Sequence, residues 1–271
     1  MAFELSDRLF DDVVRIVVRA GEIVVNAQAG LRVIANEGSL HPTTDLDRKV
    51  DQFLFENLPH VFPDPSTVAY FSEERMDDPA RLEKEWVLVV DPIDGTRSLL
   101  HHQKEAVISV AIVEQNRLIF GVIVNPFTGE RFVAHLGRGS FCGSERLRVS
   151  RVGEVEKANL VLSRTECERG LWSFLEGRVM FRPVGSIAYK MVLIASGRAE
   201  GTLTVNKRHQ WDVAAATLIV TEAEGMVSDS FGHALVFNQA SPEFLGIIAS
   251  NRLLHEALLD IADEARRFQL I

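Results

Sequence analysis

Trp86-Val87-Leu88-Val89-Val90-Asp91-Pro92-Ile93-Asp94-Gly95-Thr96 is the stretch on which the fold turns. Its first half is an apolar run of strand length, rich in β-branched residues and bounded upstream by Glu83, Lys84 and Glu85. That composition predicts a buried strand rather than a helix. Pro92 fixes its own φ and biases Asp91 towards an extended backbone. Gly95 permits a sharp turn, and Thr96 suits the cap of a following helix. Two carboxylates would then stand at a strand end, beside backbone N–H groups able to receive an anion. The plainer reading makes Asp91 and Asp94 ordinary turn residues, so the rest of the chain decides.

Upstream, apolar residues from Leu5 to Ala27 recur at helical spacing, which predicts a helix over 5–28 with Ser6 as cap. Residues 31–44 read as a loop or short hairpin. A second helix opens at Asp45 or Asp47 and ends at Pro59, with Asp47 most simply its N-cap. Thr67–Phe71 reads as a strand that also ends in acid, Ser72-Glu73-Glu74.

Downstream, Ala106–Glu114, Leu118–Val124 and Glu130–Leu136 form an antiparallel meander joined by turn signals. Gly137–Gly143 is glycine-dense and reads as a loop, with neither the GxGxxG nor the GxxxxGK[ST] fingerprint. Strands are then expected at Asn159–Leu162, Val179–Phe181, Gly201–Val205 and Leu245–Ala249. Helices are expected over Glu166–Leu175, from Gly185-Ser186 to Ala195, over Trp211–Val220 and over Asn251–Arg267. The Trp211–Val220 segment is apolar nearly all round and hence buried, with Asp212 at its start. The best division falls near residue 150, giving an N-terminal half, 1–150, and a C-terminal half, 151–271.

The 271 residues, 46% hydrophobic and 25% charged, suit a globular chain with ample core. No apolar stretch is long enough to span a bilayer, so no membrane partner is expected. Two cysteines, Cys142 and Cys167, make no disulfide framework, and a cytoplasmic setting is the default. The net charge of −9 argues against long nucleic acids. A phosphate substrate would need local positive charge, a bound metal being one source.

Glu73, Asp91 with Asp94, and Asp212 each sit at an element end. Periodicity does not show that they converge. If they do, each pair at ~4 Å repels by ~4 kcal/mol at an effective dielectric of 20. Such a cluster must be protonated or hold cations, and oxygen donors suit Mg²⁺ before Zn²⁺.

These residues resemble the signatures of the inositol monophosphatase family of metal-dependent, lithium-sensitive phosphatases. Asp91-Pro92-Ile93-Asp94-Gly95-Thr96 is similar to the first signature. Trp211-Asp212-Val213-Ala214-Ala215-Ala216, continuing to Glu222-Ala223-Glu224-Gly225, is similar to the second. Ser72-Glu73-Glu74 resembles the family's G-E-E, Thr44-Asp45-Leu46-Asp47 its T-x-x-D, and Gly185-Ser186 its helix entry. The resemblance implies a layered αβαβα fold of α/β class. It implies a site for two or three Mg²⁺ ions made by Glu73, Asp91, Asp94, Asp212 and the Ile93 carbonyl, and open to lithium inhibition. It further implies phosphate held by N–H groups around Gly95-Thr96, and a metal-activated water oriented by Glu73 and Thr96, with Asp47 supporting Thr96. Gly185, Ser186 and His209 join the expected substrate contacts, and a homodimer is the usual assembly.

The departures concern substrate. The family's inositol enzymes carry a glutamate before the Trp-Asp pair where Val205 aligns without gaps, and a lysine near Asn36 is absent. The expected activity is hydrolysis of a small polyol or sugar phosphate such as inositol 1-phosphate. The alternatives are a 3′(2′),5′-bisphosphate nucleotidase and a non-catalytic relative. In the former Lys207 and Arg208 would meet a second phosphate, although a solvated basic loop is their plainer reading.

Overall fold

The computed structural model describes residues 6–27, 30–35 and 42–269. In chain order it runs through α1 (Asp7–Ala27), a ribbon of β1 (Val33–Ala35) and β2 (Thr43–Thr44), and α2 (Asp45–Asn57). Next come β3 (Val68–Ser72), β4 (Trp86–Asp94), α3 (Thr96–Leu100), β5 (Val107–Glu114), β6 (Arg117–Val124), β7 (Arg131–His135), β8 (Gly139–Cys142) and β9 (Glu145–Arg146). The second half holds β10 (Asn159–Ser163), α4 (Arg164–Glu168), β11 (Met180–Val184), α5 (Ile187–Ala195), β12 (Gly201–Thr204), β13 (Arg208–His209) and α6 (Gln210–Glu222). It closes with β14 (Met226–Ser228), β15 (Glu243–Phe244), β16 (Ile247–Ser250) and α7 (His255–Gln269).

Strands β3 to β9 form one sheet in sequence order, parallel at β3–β4 and antiparallel beyond. The second sheet has the order β11-β10-β12-β16-β14. The period of two along β4 sets the layers. Trp86, Leu88 and Val90 pack against α1 and α2, whereas Val87 and Val89 face α5 and α6. Those two helices are apolar nearly all round because they lie between the sheets, touching Val161, Ile247 and Ala249 on the far side. The other face of the second sheet, Leu160, Leu162, Leu203 and Ile248, is covered by Leu254 and by Leu258 and Ile261 of α7. The result is the expected αβαβα stack. No helix among the described residues is long and apolar enough to cross a membrane.

The alanines of α6 have a mechanical reason. A Cβ on Gly121 of β6 would stand 2.9 Å from the Ala215 carbonyl oxygen, so strand and helix backbones approach as closely as glycine and alanine allow.

Three expectations change. Gly139–Cys142 is a strand, not a loop: its ladder with β7, from Phe132↔Cys142 to His135↔Gly139, overrides its composition. The helix expected over Glu166–Leu175 stops at Glu168, where Gly170 and Leu171 turn the chain back and bury Trp172 completely. The strand expected at Val179–Phe181 runs on to Val184 through Pro183. That is tolerated because β11 is an edge strand.

Candidate active site

The acids at the element ends do converge. Glu73, Asp91 and Asp212 each place a carboxylate oxygen within 4.8 Å of the others. Glu73 follows β3, and Asp91 occupies β4, its parallel neighbour, where the register with β5 shifts between Asp91 and Asp94. That irregularity takes Asp94 across to the second half of the chain. There its Oδ2 accepts from the Ser186 hydroxyl at 2.5 Å and the Ala188 N–H at 2.6 Å. Asp91 Oδ1 accepts from the Ile93 N–H at 3.0 Å.

Asp47 and Asp212 share one local device. Each is the third residue of its helix and reaches back with Oδ2 to a main-chain N–H, of Thr44 at 2.8 Å and of His209 at 2.9 Å. The N-cap of α2 is therefore Thr44 rather than Asp47, whose position is that of the acid in a capping box. One oxygen braces the helix and the other is left for the site. Oδ1 of Asp47 accepts from the Thr96 hydroxyl at 2.7 Å, and that hydroxyl also lies 3.1 Å from the Ile93 carbonyl oxygen. Gly95, in the left-handed region at φ +101°, caps α3 and turns Thr96 towards Asp47.

Burial and mutual repulsion hold these carboxyls in the protonated form to unusually high pH. Asp91 is pushed well above the carboxylate range by burial and by Glu73, Asp94 and Asp212. Glu73 is raised strongly by desolvation, then by Asp212 and Glu74. It is exposed by area yet densely surrounded, as expected of a side chain standing in a cleft. Asp212 is raised to about 7 by burial and Asp94, against the opposing pull of Arg208 and the His209 N–H. Asp47 is raised by burial despite its hydrogen bonds from Thr44 and Thr96.

A cleft of about 140 Å³ opens over this cluster, and Gly95, Thr96, Gly185 and Ser186 form part of its wall. Glu105 fixes that wall, its Oε2 accepting from the Gly185 N–H at 2.6 Å while its carboxylate pairs with Arg164. Val205 lies elsewhere. It packs against the core beneath α7, because Thr204 and Val205 continue the alternation of β12. His209 stacks on Trp211 at 4.5 Å with its Nε2 3.7 Å from Glu243, so it too stands outside the lining. Asn36 falls outside the described residues. Lys207 and Arg208 part company: Lys207 is exposed and paired with Glu243 at 2.6 Å, whereas Arg208 lines the cleft.

Two residues have larger roles here than sequence reasoning gave them. Lys190 is buried in the cleft wall, and burial pushes its ammonium down to about 8. Glu166 is buried beneath Arg208. The signals existed, a lone lysine in the apolar Ile187–Ala195 helix and a Ser-x-x-Glu at 163–166, but each has an ordinary meaning as snorkelling or capping.

The model of the inositol monophosphatase family matches residues 8–267. Inositol monophosphatase 1 of Homo sapiens is 30% identical over 261 residues, covering 92% of this chain and 91% of its own. The fructose-1,6-bisphosphatase/inositol-1-monophosphatase of Thermotoga maritima is 29% identical, covering 82% of this chain and 83% of its own. Among solved structures, a Thermotoga maritima IMPase superposes with a TM-score of 0.84 at 27% identity, covering 97% of this chain and 99% of that one. The convergent acids, the layered fold and the full-length match agree: the chain belongs to the inositol monophosphatase family and is a phosphatase of that family.

Proposed function

We propose that this phosphatase is Mg²⁺-dependent and hydrolyses a small polyol or sugar phosphate, inositol 1-phosphate being one such ester. One observation carries the reading: Glu73, Asp91 and Asp212 gather within 4.8 Å beside the Thr96–Asp47 hydrogen bond. The donor set fits a hard divalent cation, since it is made of carboxylates without cysteine or histidine. Glu73, Asp91, Asp94, Asp212 and the Ile93 carbonyl would hold it. Bound there, Mg²⁺ supplies charge neutralisation at the phosphate oxygens and lowers the pKa of water.

The chain's own groups then have distinct tasks. The Thr96 hydroxyl donates a hydrogen bond to Asp47, which leaves its oxygen lone pairs to accept a hydrogen bond from the attacking water. Glu73 would accept the other hydrogen bond of that water and fix its approach. Ser186 and the Ala188 N–H hold Asp94 in one rotamer, so the acid set is organised before substrate arrives. The Gly95 and Thr96 N–H groups, in the wall of the cleft, would receive the phosphate. A phosphate-release assay over inositol 1-phosphate, glycerol 2-phosphate, hexose phosphates and adenosine 3′,5′-bisphosphate tests this reading. Release from at least one polyol or sugar ester with Mg²⁺ is expected; release from none of these, or from adenosine 3′,5′-bisphosphate alone, overturns it.

A further inference from the structure

We propose that Arg208, held in place by the buried carboxylate of Glu166, is the specificity-determining residue of this cleft and selects a leaving group that carries its own negative charge. This rests on the phosphatase reading above and adds the class of substrate.

Glu166 is 4% exposed and its hydrogen-bond capacity is heavily used. Oε1 accepts from the Thr204 hydroxyl at 2.5 Å and from Asn206 Nδ2 at 2.6 Å, and Oε2 accepts from Trp172 Nε1 at 3.1 Å. It therefore pins the strand end that leads into β13. Arg208 Nη2 lies 3.5 Å from the same Oε1, beyond a strong charge-assisted bond. A carboxylate shared among three neutral donors balances that guanidinium only in part; Asp94 and Asp212 also interact with its charge, but both belong to the acid set that would hold the metal. Arg208 is 16% exposed, open enough to be met from the cleft but not freely solvated.

A second cation stands on the same wall. Lys190 is 4% exposed, and its ammonium donates to main-chain carbonyls of Ser186 at 3.1 Å and Val184 at 3.5 Å. With Asp94 and Asp212 committed to the metal, two sequestered cations beside a phosphate-sized cleft cost desolvation that a neutral polyol does nothing to offset. A carboxylate or second phosphate on the leaving group would complete the hydrogen bonds of the guanidinium. Lys207, one residue away, is 62% exposed and paired with Glu243, so basic character alone does not mark this loop as a site.

The test uses two esters with the same three-carbon skeleton. 2-Phosphoglycerate has a carboxylate where glycerol 2-phosphate has a hydroxymethyl group. At saturating Mg²⁺, wild-type enzyme is expected to favour 2-phosphoglycerate in kcat/KM by about tenfold or more, as for a charge-assisted hydrogen bond. Arg208→Gln should collapse that ratio towards one, with Arg208→Lys retaining part of it. Glu166→Gln should lower the same ratio through the KM of the charged ester, whereas a merely structural role would impair both esters alike. A wild-type preference for the neutral ester, or a ratio unchanged in Arg208→Gln, overturns the inference and leaves the phosphatase reading standing. Hydrolysis of no ester in the wider panel overturns that reading as well.

Discussion

Thr96 and Asp47 show how much of the chemistry depends on single hydrogen bonds. Thr96 was legible as a turn residue next to Gly95, and Asp47 as a helix-start acid; their 2.7 Å contact joins residues 49 positions apart. No local pattern contains such a pair, and here the resemblance to a family supplied what the residues alone did not. If the Thr96 hydroxyl orients the attacking water, Thr96→Ala should lower kcat by about 100-fold, with KM changing far less. Steady-state kinetics on the best ester checks this, and an unchanged kcat would leave Thr96 as a structural residue. Val205 marks the opposite outcome. Its alignment to a substrate-binding position is a statement about sequence spacing, but its side chain belongs to the core under α7. Arg208, three residues on, faces the cleft instead. A one-dimensional alignment does not report which face of a short irregular segment turns inward.

Elements that are buried on both sides were the most legible. The apolar run of β4 and the alanine-rich α6 announce themselves because burial removes polar residues from every face. Elements defined by a partner were not: β8 exists through its ladder with β7, and α4 ends early because Trp172 is drawn into the core. The same logic gives an element-scale expectation at the α6–β6 contact. Gly121→Ala places a methyl 2.9 Å from the Ala215 carbonyl oxygen, and the helix must shift to admit it. Overpacking of this kind costs about 1–3 kcal/mol. Urea denaturation should show that loss, and the Mg²⁺ concentration for half-maximal activity should rise because α6 carries Asp212. Unchanged values for both would mean that the close approach is slack rather than required.

Across the whole molecule, the acid cluster is a cost of the metal-free fold. The sign follows from linkage. Asp212 ionises near its ordinary 3.8 in the unfolded chain but only at about 7 in the folded one, so the folded state holds its proton more tightly. Asp91 and Glu73 are displaced in the same direction. The stability these protons confer is fully present below about pH 4 and is lost as pH rises through about 7. In chelator, the contribution of this cluster should therefore lower Tm between pH 5 and 8. Saturating Mg²⁺ should raise Tm most at pH 8, where the carboxylates bind it without giving up protons. Thermal melts at both pH values with and without Mg²⁺ check this. An Mg²⁺-induced rise no larger at pH 8 than at pH 5 would count against the cluster as the metal site.

The most direct measurement is phosphate release by wild-type protein and by Asp91→Asn, each in Mg²⁺ and in excess chelator. Asp91 is 1% exposed and central to the cluster. We expect hydrolysis by the wild type in Mg²⁺ alone, and at least a thousandfold loss (an order-of-magnitude expectation for removing a metal ligand) in Asp91→Asn with an unchanged circular dichroism spectrum. Equal hydrolysis in chelator, or full activity in Asp91→Asn, would contradict a metal-dependent phosphatase built on these acids.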